Sequence, residues 1–354
     1  MGPSNEQKLL LLCADYPLGK KGLAKAQSLL KQGINMKEVV GMSKYHLVFN
    51  PIYLNLKKLG YKGKEMKELE ELFSFSVSQN MLLKRELKKL AERLKEKKIQ
   101  VILLKGWALK EVFEDDFLAE ADIDLFAGKE DFPLIEYELK KMDYVGKETI
   151  FYKFFKSYSI HTPFLKEIGS FTVDFELHQH LLFPINSFNL DINKMRKDSK
   201  PIKGNNFLRT FCPEDQLIYF SLHLIYSHAF QVAIPNLLRM KKIIEKFKID
   251  WNKFVERAIE FNVCEILYHS LFLAQKLFEM QIPKKTMNKL KRNSKKETLL
   301  FLKNFNENRI LKSEYFWKDK VLFRLRYLYF RFYWTKGLKD KLKLIPFIKG
   351  FLLD

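Results

Sequence analysis

The sequence predicts an α+β protein, a small mixed β-sheet set between two helical regions. Three observations carry this reading. An apolar run, Val101–Leu104, stops at Lys105-Gly106 and gives way to a helical pattern. Two later segments, Ala121–Phe126 and Phe171–His178, alternate apolar and polar residues, which is the period of a strand. On both sides of this stretch, apolar residues recur at helical spacing.

Residues 1–95 read as helices. Leu9–Leu12, Leu29-Leu30, Val39-Val40 and Leu69, Leu72, Phe73 recur at roughly helical intervals. The clearest helix is Asn80 to Lys98, where Leu82, Leu83, Leu87, Leu90 and Leu94 make one stripe among Lys, Arg and Glu. Residues 96–200 hold the sheet. Strand Val101–Leu104 leads to helix Trp107–Phe113, and strand Asp122–Phe126 leads, past Gly128, to helix Asp131–Met142. Tyr144-Val145, Phe151–Phe155 and Phe171–Leu177 follow as strands. The last would put Phe171, Val173, Phe175 and Leu177 on one face, and Thr172, Asp174, Glu176 and His178 on the other. After Pro201 the helical period returns, so 201–354 is expected to be a helical region. Its best helices are Glu214–Phe230, Asn236–Phe247 and Trp251–Asn262, with Pro213 at a helix start.

Composition narrows the class. The three cysteines, Cys13, Cys212 and Cys264, are far apart and odd in number, which argues against a disulfide framework or a zinc site. The N-terminal stretch lacks the pattern of a signal peptide. No apolar run approaches the roughly eighteen residues of a membrane span. A soluble, cytoplasmic protein without a transmembrane segment is expected. The net charge is +21. Residues 281–354 hold 20 Lys and Arg against 6 acids, two thirds of that excess. Such an end attracts phosphates of nucleic acid, nucleotide or anionic lipid, or is simply a solvated set of helix faces.

The chemistry concentrates between 105 and 178. Ile123 and Leu125 can face a core while Asp122 and Asp124 leave the strand together on the other face. Two carboxylates so placed repel unless a cation lies between them, and a divalent ion held by oxygens is the usual answer. Glu176 is the candidate third carboxylate, and Asp174, on the same face, is its rival. Gly106, at the strand-to-helix turn, leaves room for a phosphate near backbone N–H groups. Lys105 is a candidate phosphate contact. His178 and His180 share the face of Glu176, where orienting a carboxylate or packing fits them better than ligating a transition metal. His223 and His228 read as core or capping residues of an apolar helix.

The combination Leu103-Leu-Lys-Gly-Trp-Ala-Leu109, then Asp122-Ile-Asp-Leu125, then Glu176-Leu-His178 resembles the poorly characterised bacterial nucleotidyltransferases of the DNA polymerase beta superfamily. The resemblance implies a polymerase-beta-like nucleotidyltransferase core between N- and C-terminal helical regions, the latter entered by a helix like Pro213-Glu214-Asp215. It implies a Mg²⁺-dependent (or Mn²⁺-dependent) two-metal transfer of an NMP from an NTP such as ATP to a hydroxyl or phosphate of an unknown acceptor. Asp122, Asp124 and Glu176 would be the catalytic and metal-binding residues. Lys105, Gly106 and Trp107 would bind nucleotide and phosphate. The chain departs from the family pattern before Asp122, where Phe117-Leu-Ala-Glu-Ala121 lacks the usual arginine and Glu120 carries the opposite charge. It departs again at Lys241 or Lys242, where a C-terminal helix of the family often has Asp. Trp107 stands where simpler nucleotidyltransferases have Ser or Gly.

Two alternatives stay open at this point. One is a catalytically inactive nucleotide- and metal-binding protein, favoured by Glu120 and the missing arginine. The other is an RNA-binding, nucleotide-adding protein, favoured by the charge. In the tail, Arg324, Arg326, Arg331, Lys336, Lys339, Lys341, Lys343 and Lys349 interleave with aromatic residues from Phe323 to Trp334. That mixture suits RNA or an anionic membrane surface. It also suits a helix that packs its rings on the core, since Phe323, Tyr327, Phe330 and Trp334 form one stripe.

Overall fold

The computed structural model describes residues 2–113, 118–147, 160–311 and 320–344, and within the last segment not the side chains of 320–324 and 326. Four helices open the chain: α1 (Asn5–Ala14), α2 (Lys20–Leu30), α3 (Met36–Tyr45) and α4 (Phe49–Lys58). Ser4 and Gln7 form a reciprocal capping box at the start of α1, satisfying donors that the helix itself leaves open. Next comes α5 (Glu65–Glu96), 32 residues long. Its buried Leu83, Leu87, Leu90 and Leu94 recur at steps of four, three and four, which is one face of a helix. They pack on the apolar face of a sheet, against Val101, Leu103, Ile123, Leu125, Phe175 and Leu177. Ile135 and Leu139 of α7 (Phe132–Lys141) complete this core.

Among the described residues the sheet has seven strands, in the order β3-β4-β5-β2-β1-β7-β6. These are β1 (Val101–Leu103), β2 (Ile123–Phe126), β3 (Val145–Gly146), β4 (His161–Ile168), β5 (Phe171–His178), β6 (Lys200–Ile202) and β7 (Asn205–Thr210). The β2–β5 and β1–β7 pairs are parallel and the others antiparallel. The architecture is therefore the mixed α+β one expected.

Three strands differ from expectation. β4 is absent from the sequence reading, because Pro163 and the charged Lys166 and Glu167 disguise it; Gly169, at φ +62°, turns it into β5. The hairpin β6–β7 lies at the start of the region expected to be helical, ahead of its first expected helix, and Gly204, at φ +84°, makes its turn. β7 pairs with β1, so the sheet continues to Thr210. The expected strand Phe151–Phe155 lies outside the described residues.

Beyond the sheet the helical period returns, with helices Pro213–Leu222, Ala233–Lys246, Trp251–Glu260 and Cys264–Phe278. Pro213 occupies the first turn of its helix, where its missing N–H costs nothing. Arg257 is buried and pairs with Asp215 and, at 2.5 Å, with Asp198. This ties the helical region to the segment that leads into β6.

The tail helix Lys320–Tyr333 buries Phe330, and Trp334 just after it. Arg331 is also buried, over the rings of Tyr226, Phe183 and Tyr327 at 4.4, 4.8 and 4.6 Å. Its charge is held by aromatic faces instead of facing a polyanion. The side chains of Phe323, Arg324 and Arg326, and all of Lys349, lie outside the described residues. Among the described residues no helix is long and apolar enough to cross a membrane.

His46, at the end of α3, is fully buried against Tyr45, and neither ring nitrogen has a hydrogen-bond partner among the described residues. Burial pushes its pKa down to about 3 from the usual 6.5. Below pH 6.5 the unfolded chain gains a proton that the folded protein refuses, so stability is lost as pH falls toward 3. The slope for one such group is about 1.4 kcal/mol per pH unit. His46→Leu should therefore spare the protein about 2 kcal/mol of the loss between pH 6.5 and about pH 5. Urea unfolding at the two pH values checks this, and identical slopes for the two proteins would refute it.

Candidate active site

β1 runs directly into α6 (Lys105–Lys110). Lys105 has a left-handed backbone, φ +50°, uncommon for a residue with a side chain. Its Nζ lies 2.5 Å from Asp124 Oδ1 and 3.6 Å from Glu176 Oε2. Strand register explains why those two carboxylates are together. Parallel pairing sets Asp124 opposite Glu176, and Phe126 opposite His178. Antiparallel pairing sets His161 opposite His178. Paired residues share a face of a sheet, so three neighbouring strands present Asp124, Glu176, His178 and His161 together. Asp122, two residues before Asp124, joins them.

Carboxylate oxygens of Asp122, Asp124 and Glu176 lie within 4.8 Å of one another. Asp124 is buried. Burial, and then the charge of Asp124, push the Asp122 carboxyl well above its ordinary range. Burial also works against the Glu176 anion. His178, whose Nε2 is 3.4 Å away, and the charge of Lys105 outweigh it and hold Glu176 well below the usual range. The Lys105 ammonium is likewise disfavoured by burial, yet Asp124 and Glu176 raise it well above normal. His178 Nε2 lies 2.8 Å from Asp124 Oδ1 and 3.4 Å from Glu176 Oε2. The rival Asp174 sits two residues along the same face, opposite Leu165. Burial, Glu176 and Asp124 push its carboxyl up to about 7. Glu176, and not Asp174, is in the three-carboxylate group.

A family model described as an uncharacterised nucleotidyltransferase matches residues 32–279. That span is more than two thirds of the chain and contains the whole sheet and the carboxylate group. The chain belongs to this nucleotidyltransferase family. No curated protein and no solved structure matches it. The matched span ends before residues 281–354, where most of the excess positive charge lies.

Nucleotidyltransferase chemistry calls for divalent metal, and the donor set fits one. Three carboxylates converge and repel, which suits a hard cation with oxygen ligands. Gly106 is buried on the first turn of α6. A Cβ there would meet the Glu120 carboxylate at 2.0–2.5 Å, so Glu120 already uses the space that glycine leaves. Glu120 pairs with Arg239 of the Ala233–Lys246 helix, and both side chains are largely buried. The chain lacks the family's arginine before Asp122, but an arginine reaches this corner from the C-terminal helical region.

Trp107 goes elsewhere. It is buried in the core with α5 and α7, and its indole Nε1 has no hydrogen-bond partner among the described residues. His180 is not in the cluster around Glu176, whereas His161, which sequence reasoning passed over, is. Counting back through the Gly169-Ser170 turn would have found it opposite His178. Arg239 had no local signal. His223 and His228 bracket a π-helical turn, His223–Ser227, a feature common at functional sites. Their Nε2 atoms lie 2.9 Å apart. Burial, helped by the charge of Lys105, pushes both well below 6.5, His228 to about 4. Both are thus neutral imidazoles near pH 7.

Removing one partner of a buried ion pair typically costs about 3 kcal/mol or more. Arg239→Met should lower stability by about that amount, because it removes the guanidinium that pairs with the largely buried Glu120 carboxylate. Adding Glu120→Gln to it should recover much of the loss. Denaturant unfolding of the single and double variants provides the check; equal destabilisation of both would show that the pairing is immaterial.

Proposed function

We propose that this protein transfers a nucleoside monophosphate from an NTP to a hydroxyl or phosphate oxygen of an acceptor, releasing pyrophosphate. The single observation that carries the reading is the β2–β5 register, which sets Asp124 beside Glu176 with Asp122 in the same group. The acceptor oxygen forms a bond to the α-phosphorus as the bond to pyrophosphate breaks, and a hydroxyl acceptor gives up its proton to water. Asp122, Asp124 and Glu176 would hold Mg²⁺ or Mn²⁺, which when bound supplies positive charge for the triphosphate.

The chain's own groups do the rest. Lys105 sets one positive charge against Asp124 and Glu176. A divalent ion would take over those carboxylates and release the ammonium for a phosphate oxygen. Gly106 offers close approach once Glu120 turns aside, and Arg239 then stands as a second cation at that corner. Trp107 supports the turn from the core side. His178 orients Asp124 through its 2.8 Å contact.

The test is Mg²⁺-dependent NTP binding and turnover in Asp122→Asn. This change removes a carboxyl already pressed toward its neutral form, so the metal-free fold should be no less stable. In the wild type, Mg²⁺ with NTP at about a hundred times its dissociation constant should stabilise the fold by about 2.7 kcal/mol. Asp122→Asn should lose that increment and the release of pyrophosphate in the presence of cell extract. A wild type whose melting is indifferent to every Mg²⁺–NTP pair would overturn the reading.

A further inference from the structure

We propose that His161, His178 and Glu176 form a second cation site, one that takes a first-row transition ion of the zinc class. It lies beside the three-carboxylate group and shares Glu176 with it. The inference does not depend on the transfer reaction proposed above.

One ligand atom from each of the three residues lies within 4.8 Å of the others. His161 Nε2 is 3.3 Å from Glu176 Oε1, and His178 Nε2 is 3.4 Å from Glu176 Oε2. These separations are long for an N–H···O bond, which centres at about 2.9 Å. Each is close to the separation one ion imposes on a pair of its ligands, with the two imidazoles facing different oxygens of the Glu176 carboxylate. Atoms about 2.1 Å from a common metal, at angles between square and tetrahedral, lie roughly 3.0 to 3.4 Å from one another. The two imidazole rings are 4.9 Å apart between centroids and are brought together by register. The arrangement is therefore built into the sheet, not into a loop.

Donor type separates the two sites. Mg²⁺ takes oxygen ligands, and imidazole is a poor partner for it. Two imidazoles and a carboxylate favour Zn²⁺ and its neighbours, and three protein ligands leave a position for water or substrate. The same His178 Nε2 lies 2.8 Å from Asp124, so ligating the ion would exchange that contact for the metal. His161 and Asp122 belong to one site each, which makes them the discriminating positions.

The test uses the full chain stripped of metal and titrated with Co²⁺, read by its visible absorption. One Co²⁺ should bind, survive millimolar Mg²⁺, and persist in Asp122→Asn. His161→Ala should weaken it by more than about 100-fold, because loss of even a residue one step removed from a metal costs ~10–100-fold. His161→Gln serves the same purpose should the alanine variant fold poorly, and free imidazole should restore binding to His161→Ala. Unchanged Co²⁺ affinity in the His161 variants would place the ion among the carboxylates and overturn the proposal. Displacement by Mg²⁺, or no Co²⁺ binding at all, would overturn it too. Loss of Mg²⁺–NTP binding with an intact Co²⁺ site would instead count against the transfer reading alone.

Discussion

Parallel pairing of β2 with β5 sets the carboxyl of Asp124 beside that of Glu176, in a place largely closed to water. Burying a charge costs several kcal/mol even after relaxation, and two like charges add repulsion. The surroundings answer this cost. Lys105 brings an ammonium, His178 brings an imidazole nitrogen, and Asp122 yields by favouring its neutral form. The left-handed backbone of Lys105 costs roughly 1–3 kcal/mol. That strain is smaller than the penalty of leaving two buried carboxylates uncompensated, so the strained turn persists.

The C-terminal helices take part in the same electrostatic problem. Arg239 reaches Glu120 beside Gly106, and Tyr219 is buried where the field of Lys105 and Asp124 is felt. His223 and His228, their Nε2 atoms 2.9 Å apart at a π-helical turn, are kept neutral by burial. Three non-glycine residues just after that turn, Ala229, Phe230 and Val232, have left-handed backbones. Such conformations persist only where packing over-determines them, and here Ala229 and Phe230 are buried in the main core. The helical region is thus a wall of the site as well as a scaffold.

Much of this was legible in the sequence because short-range pattern carries it. Alternation around Asp122 and Asp124 and in Phe171–His178 identified β2 and β5, and the leucine stripe identified α5. The helix after Pro213 was marked by its first turn. What escaped depends on contacts between distant segments. β4 and β7 gain their strand character from neighbours in the sheet, not from their own residues, since Pro163, Lys166 and Arg209 all obscure the alternation. Arg239 looks like any helical arginine until the fold lays it against Glu120, 119 residues away. Trp107, placed by the motif next to the phosphate turn, is drawn into the core because an indole buries more area there than it could at a polar surface.

The length of α5 ties these parts together in a further way. Its first turns hold Leu69 in the core formed with α1 to α4 and the C-terminal helices, and its last turns hold Leu83 to Leu94 in the core beneath the sheet. One uninterrupted hydrogen-bonded rod, about 48 Å long at 1.5 Å per residue, is a member of both. Fraying the rod at either end removes apolar contacts from one core, and melting its middle releases both. Amide protons of the sheet should consequently exchange with solvent in step with those of the opening helices, the signature of a single cooperative opening instead of two independent ones.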